Sequence, residues 1–590
     1  MNILLGLTDN KDIILIQALQ LLESRSVSID EVHYIRTSGI EIQTEVQKYY
    51  DSKNVKVFTS EMPNYGKLQS ENDYLIQEDE LFKWYVEKSK ITTNLYVFIG
   101  GGHKLHSLAL QKCAFLFGAT DVFHMLVSTE NGFEPKNLVE INESIVNGKI
   151  LYTSLGNQTG WPALKKVSKN ISIDPKVIRE ISLNIGSRSI EYINEYPFEA
   201  ISLLPIKAVE WLNNVVSCDR DFDLIKSLPK VELHCHLGGF ATNGTNLKQI
   251  RDSADESFAI GPIKDIILPY KWPIPDGVID LDQYMSLGDN NGSHLLKNIG
   301  CLKRQIDLLY EHLLDQNIGY AEIRCSPFNY AGEEYTGLEI LQLIQRHFDT
   351  QMAEAKKSRE FWCHVNLIII ATRTDDGDTR KIEDHLDLAR VAESNSKIEG
   401  KCKIVGVDLA GFEQPSTRPS YYNAQFNPIH KKGMALTIHA GENDDSEAIW
   451  DAVFKLNTRR IGHGLHLYQD QNLLKSVINR KIGIEMCPYA NYQIKGFKPM
   501  KGVDTFYPLI DYLRKGAAVT INTDNIGISA ANITDNFLLA VKMNPDLTRM
   551  ELLQIIRNGL EQAFIDVSLR NTLIRIYNER IFHLIMTSSL

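Results

Sequence analysis

Short apolar runs alternate with amphipathic helical segments from residue 226 to residue 590. Eight runs have the length and composition of β-strands, and most precede a segment whose apolar residues recur at helical spacing. The eight runs are Val231–His236, Tyr320–Cys325, Val365–Ala371, Ile404–Ala410, Ala435–His439, Arg460–His463, Ile482–Cys487 and Ala518–Thr523. Eight such units predict a (β/α)8 barrel, or TIM barrel, over residues 226–590.

A polar stretch rich in Pro and Gly, Phe240–Asn298, interrupts this pattern after the first predicted strand. Loops that follow barrel strands lie on the active-site face, so we expect a lid or a substrate loop here. Four of its cationic residues are candidates for binding substrate phosphates, although such charges usually belong to a solvated face: Lys248, Arg251, Lys264 and Lys271.

In residues 1–165, apolar strand-like segments alternate with helical segments, which is typical of an α/β domain. The pattern predicts a doubly wound, Rossmann-like sheet, in which ligands bind outside the carboxyl ends of the strands. Glycine amides, small hydroxyls and one lysine in three loops suit the phosphates of a ligand. The candidate residues are Thr8, Asp9, Asn10, Thr37, Ser38, Gly101, Gly102 and Lys104. The glycine run at 100–102 matches neither a P-loop nor a dinucleotide motif, and a simple tight turn is the alternative.

Between these regions, residues 166–225 show helical apolar spacing and no candidate chemistry. Because no Pro/Gly-rich or low-complexity run occurs there, we expect a helical connector that couples two domains rigidly.

The composition disfavours several classes of protein, such as those that bind duplex nucleic acid, are secreted or span a membrane. The net charge of −11 disfavours a broad basic surface for duplex nucleic acid. Eight scattered cysteines without a C-x-x-C pair suit reduced thiols, and neither a signal peptide nor a membrane-spanning run is evident. We therefore expect a cytoplasmic protein.

Metal-binding residue types follow the predicted barrel strands, where catalytic groups of such barrels lie. His234 and His236 end the first strand on one face, because side chains alternate along a strand. His439, His463 and Asp524 end the fifth, sixth and eighth strands. Three imidazoles and a carboxylate suit Zn²⁺ and leave room for a water, whose pKa zinc lowers to about 7. For any single histidine a packed or surface role is the more common one, but four histidines and an aspartate, all at strand ends, predict a zinc site.

The strings around these residues resemble the adenosine/AMP deaminase family over nearly all of residues 228–570. The matching positions are Pro229–Leu237, Tyr320–Arg324, Val407–Gly411, Ile438–Glu442, Ile461–Gly464, Glu485–Pro488 and Asn522–Asp524. The resemblance implies a hydrolase that converts adenine to hypoxanthine with release of ammonia.

Carried over to this sequence, the resemblance implies a role for each site residue. Glu442 would pass a proton to purine N1, and His463 would orient the attacking water and stabilise charge at C6. The amide of Gly411 would donate to N3, and Asp408, in the same string, is a second substrate-binding candidate. The implied zinc ligands are His234, His236, His439 and Asp524.

Two positions depart from that family. Gly238 stands where enzymes acting on free adenosine have an Asp that contacts the 5′-hydroxyl, so it is a candidate for substrate selection. Asn525 replaces a second Asp that normally faces purine N7. An Asn amide can still donate to N7, which makes Asn525 a catalytic-site candidate but leaves the site unusual.

The N-terminal strings resemble the CARF domains of CRISPR-associated proteins, on Ile99–Lys104, Ala109–Leu110, Leu116–Gly118 and Asp121–Val127. That resemblance implies a dimerising sensor of cyclic tetra- or hexa-adenylate, and hence a homo-oligomer. Together the two resemblances predict a type III CRISPR effector whose zinc barrel deaminates an adenine nucleotide, with ATP to ITP favoured. The alternatives are a purine-salvage deaminase with an N-terminal assembly domain, and a sensor whose barrel has lost turnover.

Overall fold

The computed structural model describes residues 1–8, 13–36, 44–62, 68–92, 94–101, 103–127, 138–170, 172–186, 196–240, 244–254, 279–374, 378–394, 401–494 and 507–588. The chain divides into two compact units. One comprises Met1–Glu195, Glu199–Ala208 and Asn578–Leu590, and the other comprises Tyr196–Phe198 and Val209–Tyr577.

The N-terminal unit is built on a six-stranded sheet. Its strands are β1 (Ile3–Leu7), β2 (Glu31–Arg36), β3 (Lys56–Glu61), β4 (Leu95–Phe98), β5 (Asp121–Val127) and β6 (Ile150–Ser154). They lie in the order β3-β2-β1-β4-β5-β6, and only β6 runs antiparallel to its neighbour. The chain therefore changes direction across the sheet between β1 and β4, and sheets of this order usually have a ligand crevice at the carboxyl ends of the two strands at that point.

In the described parts of this unit, seven helices connect and follow these strands. They are α1 (Ile13–Ser24), α2 (Thr44–Ser52), α3 (Glu71–Ile91), α4 (Lys104–Phe117), α5 (Leu138–Val146), α6 (Pro162–Asn170) and α7 (Pro175–Gly186). Apolar residues of α1, α2 and α5 form one core with Leu4, Val32 and Tyr34 of the sheet. Helix α3 begins at a capping box in which Ser70 and Asp73 bond each other's backbone N–H groups, which satisfies donors that the first turn leaves free.

The second unit contains an eight-stranded, wholly parallel sheet. Its strands are β7 (Lys230–His236), β8 (Ile318–Cys325), β9 (His364–Arg373), β10 (Ile404–Gly411), β11 (Ala435–Ala440), β12 (Arg460–His463), β13 (Gly483–Met486) and β14 (Ala518–Ile521). Neighbours follow chain order from β7 to β14. A parallel bridge between Cys235 and Asp524 then links the end of β14 to β7, so the sheet is a nearly closed barrel.

Helices lie before, between and after the barrel strands. They are α8 (Ile206–Asn213), α9 (Phe222–Ser227), α10 (Gly244–Arg251), α11 (Leu281–Asn291), α12 (Ile299–Asp315), α13 (Pro327–Tyr330), α14 (Gly337–Ser358), α15 (Arg380–Ser394), α16 (Asn423–Lys432), α17 (Ser446–Phe454), α18 (Gln471–Asn479), α19 (Pro488–Gln493), α20 (Leu509–Arg514), α21 (Ile526–Ser529), α22 (Ile533–Met543), α23 (Arg549–Gln562) and α24 (Val567–Ser588). Capping boxes start α14 at Thr336 and α23 at Thr548.

The predicted barrel is confirmed, with each strand end within two residues of its predicted position. The described part of the stretch after β7 forms α10, α11 and a 3₁₀ turn at Ser293–Lys297, while residues 255–278 lie outside the described chain. All eight cysteines are free thiols, as the sequence predicted. Among the helices that the structure describes, none combines the length and apolarity needed to cross a membrane.

Candidate active site and metal centre

The candidate metal ligands converge at the carboxyl ends of the barrel strands. His234 and His236 end β7, and their Nε2 atoms lie 3.4 Å apart. Asp524, brought to β7 by the closing bridge, places Oδ1 3.3 Å from Nε2 of His236 and 3.8 Å from Nε2 of His234. A ring nitrogen of His439 lies within 4.8 Å of those of both histidines. Four donors that are far apart in sequence thus share one small volume.

Two carboxylates hold the imidazoles in the orientation that a metal needs. Glu485 Oε2 lies 2.9 Å from Nδ1 of His234, and Asp408 Oδ1 lies 3.1 Å from Nδ1 of His439. A carboxylate at Nδ1 keeps the proton on that atom, so Nε2 presents its lone pair to the cluster. Burial also lowers the pKa of His234 and of His236 well below the ordinary value, which favours the neutral form that binds metal.

Buried arginines neutralise these carboxylates beneath the site. Arg324 Nη1 donates to Asp408 Oδ2 at 2.8 Å, and its Nη2 donates to Glu485. Arg460 donates to Glu485 and to Glu322. All five side chains are fully buried, so each charge depends on its partners. Although burial opposes its ionisation, His439 and Arg324 lower the pKa of Asp408 below the ordinary value.

Asp408 therefore has a different place from the one predicted for it. It is bonded to Arg324 and His439 and is not among the described residues that line the site cavity, so it orients the candidate ligand His439. Its side chain is fully buried within the barrel, whereas Gly411, at the end of β10, lines the cavity.

The donor set fits a metal ion. Burial raises the pKa of Asp524 to about 7, and a bound cation would lower it again because positive charge stabilises the carboxylate. Three imidazoles, two of them held by carboxylates, with one further carboxylate beside them, are ligands typical of zinc. His234, His236, His439 and Asp524 are the residues that would hold it.

Glu442 is buried beside this cluster. Burial, followed by the charges of Asp524 and Glu413, raises its pKa well above the ordinary value. Its Oε1 is buried and has no hydrogen-bond partner among the described residues. Glu413 fixes the loop by accepting from the backbone N–H groups of Gly441 and Glu442 at 2.6 and 3.2 Å. A buried carboxyl group whose pKa is raised is equipped to exchange a proton with a ligand.

His463 contacts both this acid and the cluster. Its Nδ1 lies 3.4 Å from Oε1 of Glu442, and one of its ring nitrogens lies within 4.8 Å of ligand atoms of His234 and Asp524. The side-chain amide of Asn491 donates to Nδ1 of His463 at 2.8 Å, and Tyr507 in turn donates to Asn491 at 2.9 Å. An acceptor at Nδ1 leaves the ring proton on Nε2. Asn491 was not among the predicted residues, since only the folded chain brings it to His463.

Two of these residues adopt backbone conformations that side chains usually avoid. His463 has φ of 64° and Asp524 has φ of 61°, both in the left-handed region. Such a conformation costs roughly 1–2 kcal/mol for an L-residue. Strain of this kind concentrates at functional sites, where the surrounding structure holds it in place.

The family model described as adenosine deaminase matches residues 229–579, more than half of the chain. The chain belongs to the adenosine deaminase family. Adenosine deaminase of Clostridium acetobutylicum is 30% identical over 348 residues, covering 58% of this chain and 94% of that protein. Adenosine deaminase of Vibrio vulnificus is 29% identical over 339 residues, covering 57% and 94%. The chain is thus an adenosine deaminase-type, metal-dependent hydrolase.

A solved structure of adenine deaminase from Arthrobacter aurescens is also similar. It is 20% identical and covers 60% of this chain and 99% of its own, with a TM-score of 0.49.

Both departures from the adenosine deaminase family lie together at the site. A Cβ on Gly239 would meet Oδ1 of Asn525 at 1.8 Å, so the Asn525 side chain occupies the space that Gly239 leaves open. The Asn525 amide donates to Asp524 Oδ1 at 2.8 Å. A Cβ on Gly238 would instead lie 3.1 Å from the Tyr330 hydroxyl, at the cavity wall. A side chain at position 238 would therefore narrow the cavity.

A single cavity of about 670 Å³ connects these groups. Its lining includes most of the predicted barrel residues: His236, Gly238, Gly411, His439, Glu442, His463, Asp524 and Asn525. It also includes Ser293, His294 and Lys297 from the 3₁₀ turn after α11, and Lys297 adds a positive charge that the sequence analysis had not assigned to the site. Lys248 and Arg251, on α10, do not line it, and Lys264 and Lys271 lie outside the described residues.

Only part of the predicted effector site falls on described residues. Thr8 follows β1 and is buried, Gly101 follows β4, and Lys104 is exposed at the start of α4. A Cβ on Gly101 would lie 1.8 Å from the carbonyl oxygen of Leu7, so the loop after β4 lies against the end of β1. Five predicted residues lie outside the described chain: Asp9, Asn10, Thr37, Ser38 and Gly102.

Proposed function

We propose that this chain is a zinc-dependent deaminase of adenine nucleotides, converting ATP to ITP and ammonia, and that cyclic oligoadenylate activates it in type III CRISPR defence. Residues 1–165 act as the sensor, 166–225 as the connector and 226–590 as the catalytic barrel. The observation that supports the catalytic part is the cluster of His234, His236, His439 and Asp524 beside the buried Glu442, whose pKa burial raises.

Different residues of the barrel carry out different steps of deamination. A zinc ion supplies an activated water as the nucleophile when it is bound. Glu442 gives its proton to purine N1, which makes C6 more electrophilic, and the Nε2–H of His463 stabilises charge that develops at C6. The amides of Gly411 and Asn525 donate to N3 and N7. Water adds at C6 and ammonia leaves, so adenine becomes hypoxanthine.

The wall beside Gly238 supports a 5′-phosphorylated substrate. No carboxylate is attached at that position to repel a phosphate, and Lys297 and His294 line the same cavity. Cations at the mouth of a cavity attract polyphosphates over some distance and favour them over an uncharged nucleoside.

We expect kcat/KM of the activated protein to be higher for ATP than for adenosine. Lys297→Ala should lower kcat/KM for ATP about 5-fold, through KM, because one exposed ion pair is worth up to ~1 kcal/mol. The value for adenosine should stay unchanged. Lys303→Ala, which removes an exposed lysine away from the cavity, is the matched control. Steady-state kinetics that favour adenosine over ATP would contradict the nucleotide proposal.

The sensor part rests on the crevice between β1 and β4 and on the resemblance of its loops to CARF domains. Two such crevices facing each other across a dimer axis would match the symmetry of a cyclic ligand, so we propose a homo-oligomer built from sensor dimers. A ligand bound there changes the barrel only if it prefers one state of the protein, and couplings of roughly 5–150-fold are typical.

Lys104→Ala should weaken activation by cyclic oligoadenylate while leaving zinc content unchanged, because Lys104 lies in the other unit from the metal ligands. The measurement is the deamination rate against the concentration of cyclic tetra- and hexa-adenylate. Lys56→Ala, at the opposite end of the sheet, should respond as the wild type does. Identical curves for Lys104→Ala and the wild type, or a flat wild-type response, would contradict the sensor role.

A further inference from the structure

The sheet of the N-terminal unit buries a guanidinium that the predicted effector residues did not include. Arg36 is the last residue of β2, and only 3% of its surface is exposed. Within the described part of the chain, its Nε and Nη2 have no hydrogen-bond partner. Arginine is always charged, and a buried charge without a partner is strongly unfavourable. Such a guanidinium suits a bound anion that accepts its free hydrogen bonds and balances its charge.

Thr8, which lies next to Arg36, is also a buried polar residue whose side chain has no hydrogen-bond partner among the described residues. The register pairs Leu7 with Ile35, and the Thr8 N–H donates to the Ile35 carbonyl at 3.0 Å. Thr8 and Arg36 are therefore neighbours on adjacent strands. The Thr8 side chain is 1% exposed, and its Oγ1 has no partner among the described residues either.

The two side chains also lie on one face of the sheet. Side chains alternate along a strand, so Thr8 shares a face with Leu4, and Arg36 shares one with Val32 and Tyr34. Leu4, Val32 and Tyr34 belong to a single core cluster, which identifies the two faces as the same. Both polar groups stand at the carboxyl edge of that face, where the loop carrying Gly101 approaches the end of β1.

We propose that Arg36 and Thr8 form a subsite for a phosphate group. Nε and Nη2 are on the same edge of the guanidinium, and such a pair of donors fits two oxygens of one phosphate. The Thr8 hydroxyl supplies a third donor. The inference deepens the proposed sensor role, on which it rests for the identity of the ligand: the phosphate is one of the phosphodiesters of a cyclic oligoadenylate.

The test compares the wild type with R36M and R36K, which remove and keep the charge, by calorimetric titration with cyclic tetra- and hexa-adenylate. R36M should bind at least about 30-fold more weakly, as expected when one partner of a buried charge pair is lost. R36K should lose less affinity. R25Q, an exposed arginine of the same unit, should bind as the wild type does.

Thermal melting separates a binding role from a structural one. R36M without ligand should melt no lower than the wild type, because an apolar side chain replaces an uncompensated charge. Equal affinity in R36M and the wild type would overturn the subsite. So would a loss of binding accompanied by a lower melting temperature in both R36M and R36K.

A wild type that binds neither cyclic adenylate would contradict the sensor role. In that case, titration of inorganic pyrophosphate into the wild type and R36M tests the phosphate subsite independently of the sensor role. Binding that R36M loses would support it. Equal binding to both proteins, or no binding to either, would overturn it.

Discussion

Glu442→Gln lowers kcat for deamination by about 10³-fold and leaves the bound zinc unchanged. The expected size is that of a missing general acid, roughly 10²–10⁴-fold. Glutamine has the shape of the protonated acid and cannot transfer its proton to purine N1. The carboxyl group is not among the ligand atoms of the cluster, so the metal content should not respond.

Ammonia release and metal analysis on the same sample measure both quantities. Glu447→Gln, on the exposed first turn of α17, is the matched control and should keep wild-type turnover. Full activity in Glu442→Gln would exclude Glu442 as the proton donor.

His439→Ala and Asp524→Ala should lose both metal and turnover. Each removes one donor of the cluster, and Asp524 also supplies the carboxylate closest to His236. Removing a ligand from a four-donor set leaves the remaining imidazoles unable to hold zinc against dilution or a chelator. We expect less than about one tenth of the wild-type zinc and of its rate.

The control for these variants is His430→Ala, on α16, which does not line the cavity. It should retain zinc and activity. Binding of cyclic oligoadenylate should also survive in His439→Ala and Asp524→Ala, since the proposed effector site lies in the other unit. Wild-type zinc content in either variant would contradict its assignment as a ligand.

The barrel could be predicted from the sequence because its strands are apolar runs and several of them end in polar residues. A run such as Val365–Ala371 is apolar throughout, as a parallel strand covered on both sides requires. Strand ends at His439 and His463 carry polar residues that a core does not need. Local patterning therefore placed both the strands and the chemistry at their ends.

The supporting residues could not be found in the same way. Glu485, Arg324 and Asn491 act through contacts across 28 to 251 positions of sequence, and each resembles an ordinary residue within its own segment. Lys297 belongs to a polar stretch with several lysines, and the sequence does not distinguish which of them lies at the substrate site. Arg36 ends an apolar strand, and only the structure shows that it is buried and that its Nε and Nη2 have no hydrogen-bond partner within the described chain.

Ammonia release from ATP, AMP and adenosine by the zinc-loaded wild type tests the central claim most directly. Each substrate is measured alone and with cyclic tetra- or hexa-adenylate. We predict ammonia and an inosine product in equal amounts, fastest from ATP with a cyclic adenylate present. A protein that holds zinc yet releases no ammonia from any of these compounds, with or without effector, would contradict the account.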